Sequence, residues 1–278
     1  MVPSAAVAPP HPASRRRALA RAAPAVVIAL VAIWQAAAVA CAGKVPAEGD
    51  WERAVEYVRE RHEADELIVF APDWLDPVGR LHLGDRIPIE MAARMDAARY
   101  RAIWELSARG ARAPEARGLE PVLEERFGDL RVRRYEQEPA EVVTDFRNEF
   151  SRAQSTGSWA RRPQLVLEEV GFAPRRCVRG VPRAGEQGSI RFDDVSLGET
   201  LVGYAGLADI FTLRDIREPG RLRVLIDGDE VASVALGIDD GWVRFEAETE
   251  PREGASVEFL AEADASDRLI CFAAEARR

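Results

Sequence analysis

The sequence predicts an α/β unit followed by an all-β unit, led by one N-terminal hydrophobic helix. Three observations predict it. Residues 22–42 carry no charge and follow a cluster of arginines. Residues 50–137 alternate helical and strand patterns, as in a small parallel sheet with covering helices. From about residue 164 the hydrophobic period changes to two and Asp-Gly turns separate short runs, which predicts an antiparallel β-sandwich. The expected division is a disordered basic cytoplasmic leader over 1–21, a transmembrane signal anchor over 22–42, a small α/β domain over 50–137, a polar connector over 138–163 and a β-sandwich over 164–278.

The leader comes first. Arg15, Arg16, Arg17 and Arg21 precede the apolar run Ala22 to Ala42, whose one strongly polar side chain is Gln35. As a helix rising about 1.5 Å per residue, the run spans roughly 30 Å, the thickness of a hydrocarbon core. The arginines hold its N-terminal end in the cytoplasm, so the remaining chain lies outside. Trp34 sits mid-segment rather than at an interface. Two other readings stay open. Ala38-Val39-Ala40 and Ala40-Cys41-Ala42 fit a signal-peptide cleavage site, which gives a secreted or periplasmic protein. Cys41 follows small residues and is a candidate for lipid attachment.

In the α/β unit, Trp51, Ala54, Val55 and Val58 fall at helical spacing over 51–64, with Asp50 as N-cap. Leu67 to Ala71 reads as a buried strand ended by Pro72. Pro88 to Tyr100 reads as a second helix, Arg101 to Leu106 as a second strand, Leu119 to Phe127 as a third helix and Leu130 to Tyr135 as a third strand. Val142 to Phe150 reads as one more strand or a short helix.

In the sandwich, alternation marks Leu165 to Val170, Ile190 to Val195, Thr200 to Tyr204, Arg221 to Ile226, Glu230 to Leu236, Trp242 to Thr249, Ser256 to Glu262 and Arg268 to Ala274. Asp227-Gly228 and Asp240-Gly241 are turns. Cys177 lies near the first strand and Cys271 in the last, so either a disulfide or a pair of buried thiols fits.

Charge narrows the partners. Formal net charge is −9, and with four arginines and no acid in residues 1–42, residues 43–278 carry −13. Such a body is repelled by phosphate backbones and anionic headgroups, which argues against nucleic acid and leaves residues 22–42 as the membrane contact. No cofactor is expected, because no G-x-G-x-x-G follows the first strand. No C-x-x-C spacing suggests zinc, and no EF-hand pattern suggests calcium. The absence of a G-x-S-x-G elbow and of a cysteine near a histidine leaves no complete catalytic site.

Two resemblances add to this. The apolar segment ending in Ala42, Asp50-Trp51-Glu52, the strand Leu67-Ile68-Val69-Phe70-Ala71-Pro72 and Tyr100-Arg101-Ala102-Ile103-Trp104 resemble the end of C-type membrane glycosyltransferases. There a last transmembrane helix enters a soluble extracytoplasmic α/β domain. That family places its catalytic acid in an early loop between membrane helices, and this sequence has no such loop, so the resemblance implies an accessory part and no transferase activity. Leu197-Gly198, Leu201, Gly203, Gly206-Leu207-Ala208-Asp209, the Asp227-Gly228 hairpin and Gly241-Trp242-Val243-Arg244-Phe245 resemble a galactose-binding-like jelly-roll module. This implies carbohydrate binding or a structural partnership.

Candidate ligand residues follow. On a regular strand Trp242 shares a solvent face with Arg244 and Glu246, and Tyr204 and Asp209 add polar contacts; a bulge at Gly241 turns Trp242 into the core instead. Asp73, Trp74, Asp76 and His82 follow the first strand, at the strand ends where open α/β sheets bind ligands. A solvated crossover loop gives the same composition. The expectation is a membrane-tethered extracytoplasmic protein, non-enzymatic, that binds carbohydrate or another envelope component. The alternatives are an accessory part of a glycosyltransferase system and a structural protein-interaction module.

Overall fold

The computed structural model describes residues 24, 26–39, 45–93, 96–208, 219–265 and 268–278. Cys41, Asp209 and the arginine cluster lie outside them. Residues 26–39 are helical, with Trp34 69% exposed. Among the described residues no helix is long and apolar enough to cross a membrane.

Helix α1 (Glu48–Arg59) buries Trp51, Ala54, Val55 and Val58, the four residues at one-turn spacing. Asp50 is not its N-cap. It is the third residue of the helix, and its carboxylate accepts from the Ala47 N–H at 3.2 Å, from Arg53 at 2.8 Å and from the Asp129 N–H at 3.3 Å. Strand β1 (Glu66–Ala71) is buried throughout and runs parallel to β2 (Ala102–Ala108). Helix α2 (Asp76–Leu83) lies on β1 because Gly79 leaves room for a ring: a Cβ there would fall 2.0 Å from Phe70. The second helix expected over 88–100 is only α3 (Ile89–Ala92) and a 3₁₀ turn at Ala97–Arg99.

The sheet is mixed rather than parallel. With β3 over Leu123–Phe127 and β4 over Leu130–Glu136, its order is β1-β2-β4-β3, and only the first pair is parallel. The third helix expected over 119–127 is instead strand β3 (Leu123–Phe127), which turns at Gly128-Asp129 into β4 (Leu130–Glu136). Gly128 has φ +59°, which suits a two-residue hairpin. β3 is an edge strand with mostly exposed side chains, so its Glu and Arg content imitates a helix. Two glutamates are buried in the sheet. Glu66 accepts from Trp104 Nε1 and from Arg134, each at 2.7 Å, and Glu105 accepts from Arg133 at 2.5 Å and from the Ala113 N–H at 2.8 Å.

The rest is a β-sandwich. Its strands are β5 (Val142–Asp145), β6 (Gln154–Gly157), β7 (Trp159–Val170), β8 (Ala173–Pro182), β9 (Glu186–Leu197), β10 (Thr200–Leu207), β11 (Gly220–Ile226), β12 (Asp229–Leu236), β13 (Val243–Glu248), β14 (Arg252–Ala263) and β15 (Ile270–Arg277). One sheet runs β13-β10-β15-β8-β7 with β5 also on β15, and the other runs β12-β11-β14-β9-β6. All these pairs are antiparallel. The stretch read as a connector over 138–163 thus supplies β5 and β6, one to each sheet.

Between the sheets Phe146, Phe192, Phe259 and Phe272 form one aromatic cluster, and the Phe259 and Phe272 rings stack across the gap at 4.4 Å. Each such buried ring contributes about 2–3 kcal/mol. Gly203 faces Phe245 on the neighbouring strand, and a Cβ there would meet that ring at 2.1 Å. Strand β15 is buried along its whole length. Its even-numbered residues Phe272, Ala274 and Ala276 enter this core, so Ala273, Glu275 and Arg277 point the other way.

Candidate functional site

That other face of the β10–β15 sheet is where the site forms. Register places Tyr204 opposite Arg244 on one side and Ala273 on the other, and Glu275 opposite Asp145. On β8, Val178 is in the core, so Arg175 and Cys177 share the outer face. A second small cluster lies there, made of Val170, Cys177, Val181, Ala208, Leu269 and Cys271. Cys177 and Cys271 are joined in a disulfide with Cα atoms 5.7 Å apart.

The α/β unit covers part of this face through the segment 96–100. Arg277, 5% exposed, bonds Asp96 of that segment and Glu275 at 2.8 Å. Glu275, 2% exposed, also meets Arg99 at 3.0 Å and Arg147 at 3.3 Å. Burial pushes the Asp145 carboxyl up, but hydrogen bonds from Arg147 outweigh it and hold the group below the usual carboxylate range. Burial pulls Arg277 down, and its bond to Asp96 more than restores it. The Asp96 and Glu275 carboxylates tie the two units together through Arg277 and Arg99, an ion-pair geometry that suits a fixed framework.

Arg175 departs from this pattern. It is 6% exposed, its Nε has no hydrogen-bond partner, and its guanidinium lies 5.0 Å from the Tyr204 ring centre. Burial first, then Arg147, push its pKa below the usual value against the pull of Glu275. Burial, then the charge of Asp96, push the Tyr204 phenol above its usual value. Arg244 is exposed, pairs with Glu246 at 2.6 Å and contacts the Tyr204 side chain. The outcome is a buried guanidinium with an unpaired Nε 5.0 Å from the buried Tyr204 ring, and the exposed Arg244 guanidinium on the neighbouring strand.

Of the residues expected at a ligand site, Tyr204, Arg244 and Trp242 come together on this face. Trp242 takes neither expected position. Alternation does put it on the outer face, but it is half-buried against the disulfide cluster, and its indole N–H donates to the Ala173 carbonyl at 2.9 Å. Asp73, Trp74, Asp76 and His82 lie in the α/β unit and do not converge. Asp73 is exposed at the start of a 3₁₀ turn. Trp74 is 43% exposed, with the Arg109 guanidinium 5.0 Å over its ring. Asp76 pairs with Arg80 at 2.6 Å. His82 stacks on Trp51 at 5.2 Å and points Nε2 toward Glu48 at 3.9 Å. Among the described residues no group of His, Cys, Asp and Glu is placed to hold a metal ion. Sequence patterns alone do not mark Arg175, Glu275, Arg277, Asp96 and Arg99 as site residues. A usable signal existed in the last strand, where Glu275 and Arg277 interrupt an otherwise apolar run.

No known family profile and no curated protein matches this sequence. Several solved structures are similar over part of the chain. The CBM51-2 and INT domains of Clostridium perfringens ZmpB share 9% identity over 45% of this chain, with TM-score 0.34, and this chain spans 30% of that one. The CBM51 of a Clostridium perfringens GH95 protein, solved with methyl-galactose, shares 8% identity over 48% of this chain and 98% of that one, with TM-score 0.35. Tandem CBM51 modules of Sp3GH98, a family 98 glycoside hydrolase of Streptococcus pneumoniae, share 11% identity over 55% of this chain and 57% of that one, with TM-score 0.34.

Proposed function

We propose that this chain is a non-enzymatic, membrane-tethered binding protein of the cell exterior, and that the outer face around Arg175, Tyr204 and Arg244 takes a carbohydrate. The observation that carries this reading is the donor of Arg175 left without an acceptor at 6% exposure. Buried donors are nearly always satisfied, so one left unpaired near an aromatic ring marks a place for an outside acceptor. A sugar supplies it: hydroxyl or carboxylate oxygens meet the guanidinium fork. A carboxylate-bearing sugar fits best, because it also neutralises Arg175 and Arg244.

Two further observations support the address. The helix over 26–39 leaves Val26, Ile28, Leu30, Ile33 and Trp34 each more than half exposed, as a segment does that belongs in a membrane. The Cys177–Cys271 disulfide fits an oxidising compartment. A glycan array probed with the full-length chain in detergent tests the ligand. Binding of one group of glycans, lost in Arg175→Met and reduced in Arg244→Ala, is the expected result. No binding by the wild type, or equal binding by Arg175→Met, overturns it and leaves a protein-interaction module.

A further inference from the structure

The α/β unit holds a second basic feature, far in sequence from the sandwich site and independent of the reading above. A cleft of about 230 Å³ opens where β2 ends, between the turn at 109–110 and the β3–β4 turn. Ser107, Arg109, Gly110, Arg126, Asp129 and Arg131 line it. Three guanidiniums around one cleft are unusual on a body that is otherwise strongly acidic. Arg126 and Arg131 have few partners of their own. Arg126 donates through Nε to the Gly128 carbonyl at 2.8 Å, its one hydrogen bond among the described residues, which leaves its terminal nitrogens without a hydrogen bond there. Arg131 meets Glu124 at 3.0 Å, a carboxylate it shares with Arg133. Arg109 is held at φ +56°, a left-handed backbone that only glycine adopts freely, and this places its guanidinium over the exposed Trp74 ring. Asp129 is the acid in the wall, and it disfavours an anion that meets only one arginine.

We propose that this cleft binds a phosphate ester. A carboxylate has two oxygens and satisfies one fork, whereas a tetrahedral phosphate accepts from several sides at once and suits three arginines. The exposed part of the Trp74 ring, beside Arg109, then packs against the organic group that the phosphate carries. The cleft lies beyond the carboxyl ends of the parallel pair β1 and β2, where open sheets place ligands.

Titration calorimetry of the full-length chain in detergent tests this with inorganic phosphate and phenyl phosphate. Both bind saturably, phenyl phosphate more tightly. Arg126→Gln weakens both by about tenfold, the cost of one charged hydrogen bond. Arg109→Gly weakens both similarly while raising the melting temperature, which separates loss of the site from loss of the fold. Trp74→Ala removes the advantage of phenyl phosphate and leaves inorganic phosphate unchanged. Arg175→Met leaves phosphate binding intact, so failure of the sandwich reading and failure of this one are told apart. Sedimentation with phosphatidylcholine vesicles containing phosphatidic acid, if lost in Arg126→Gln, retains the site and assigns the ester to a lipid headgroup. No saturable heat in the wild type, or wild-type affinity in both arginine variants, overturns the proposal.

Discussion

Replacing Arg175 by methionine should make the protein more stable and unable to bind its glycan. The expectation follows from the surroundings of the side chain. Arg175 is 6% exposed, and its Nε donates to nothing. A buried donor without a partner costs about 1–3 kcal/mol, and the charge adds to that penalty. Against this stands the contact with the Tyr204 ring at 5.0 Å, which contributes about 0.5–2 kcal/mol and is lost in the variant. Methionine fills a similar volume with apolar atoms and can contact the same ring. The difference is a gain of about 1 kcal/mol, or roughly 2–4 °C in melting temperature for a domain near this size. Urea denaturation followed by tryptophan fluorescence reads the first quantity, and a thermal scan reads the second. A loss of more than about 1 kcal/mol would refute the reasoning, because it would show that Arg175 serves the framework with Glu275 and does not wait for a ligand.

Three other outcomes follow from the same geometry. Glu275→Gln removes the carboxylate that Arg99, Arg147 and Arg277 share, so it should cost about 3–5 kcal/mol in urea denaturation; a loss below about 1 kcal/mol would show that the seam does not bind the two units. Replacing both Cys177 and Cys271 by alanine opens a loop with a sequence separation of 94, and loop-closure entropy puts the loss near 4.7 kcal/mol; reducing agent should then have no further effect on the variant. Asp145 has a folded-state pKa below its unfolded one, so its contribution is present above the unfolded value near 3.9 and is lost as pH falls through the folded value. Urea midpoints measured from about pH 5 to pH 2 should fall for the wild type and fall less for Asp145→Asn, and parallel curves would contradict the assignment.

The sandwich strands were largely legible because one face of each enters a core and the other alternates with it. Alternation found β9 to β15 within a few residues. It missed β3 because an edge strand with exposed glutamates and arginines carries no apolar period, and only Gly128-Asp129 marked the turn. It left β5 open between strand and helix over 142–150, and it treated β6 as connector because that strand has only four residues. The site was legible in part for a related reason. Register and alternation brought Tyr204, Arg244 and Trp242 to one face. Alternation assumes that a non-core face meets water, and here Asp96 and Arg99 come from another unit to cover it. Thus Glu275 and Arg277 became buried, and Trp242 packed on a disulfide cluster that no local pattern reveals. Arg175 went unnoticed because an arginine in a strand ordinarily reads as a solvated side chain.

The central claim is that the outer face of the sandwich holds a ligand through Arg175. Binding of a single uronic-acid-bearing glycan, chosen from the array and measured by calorimetry on the wild type and on Arg175→Met, tests it most directly. The account predicts saturable binding by the wild type and none by a variant that is folded and no less stable. Equal affinities in the two proteins would contradict it.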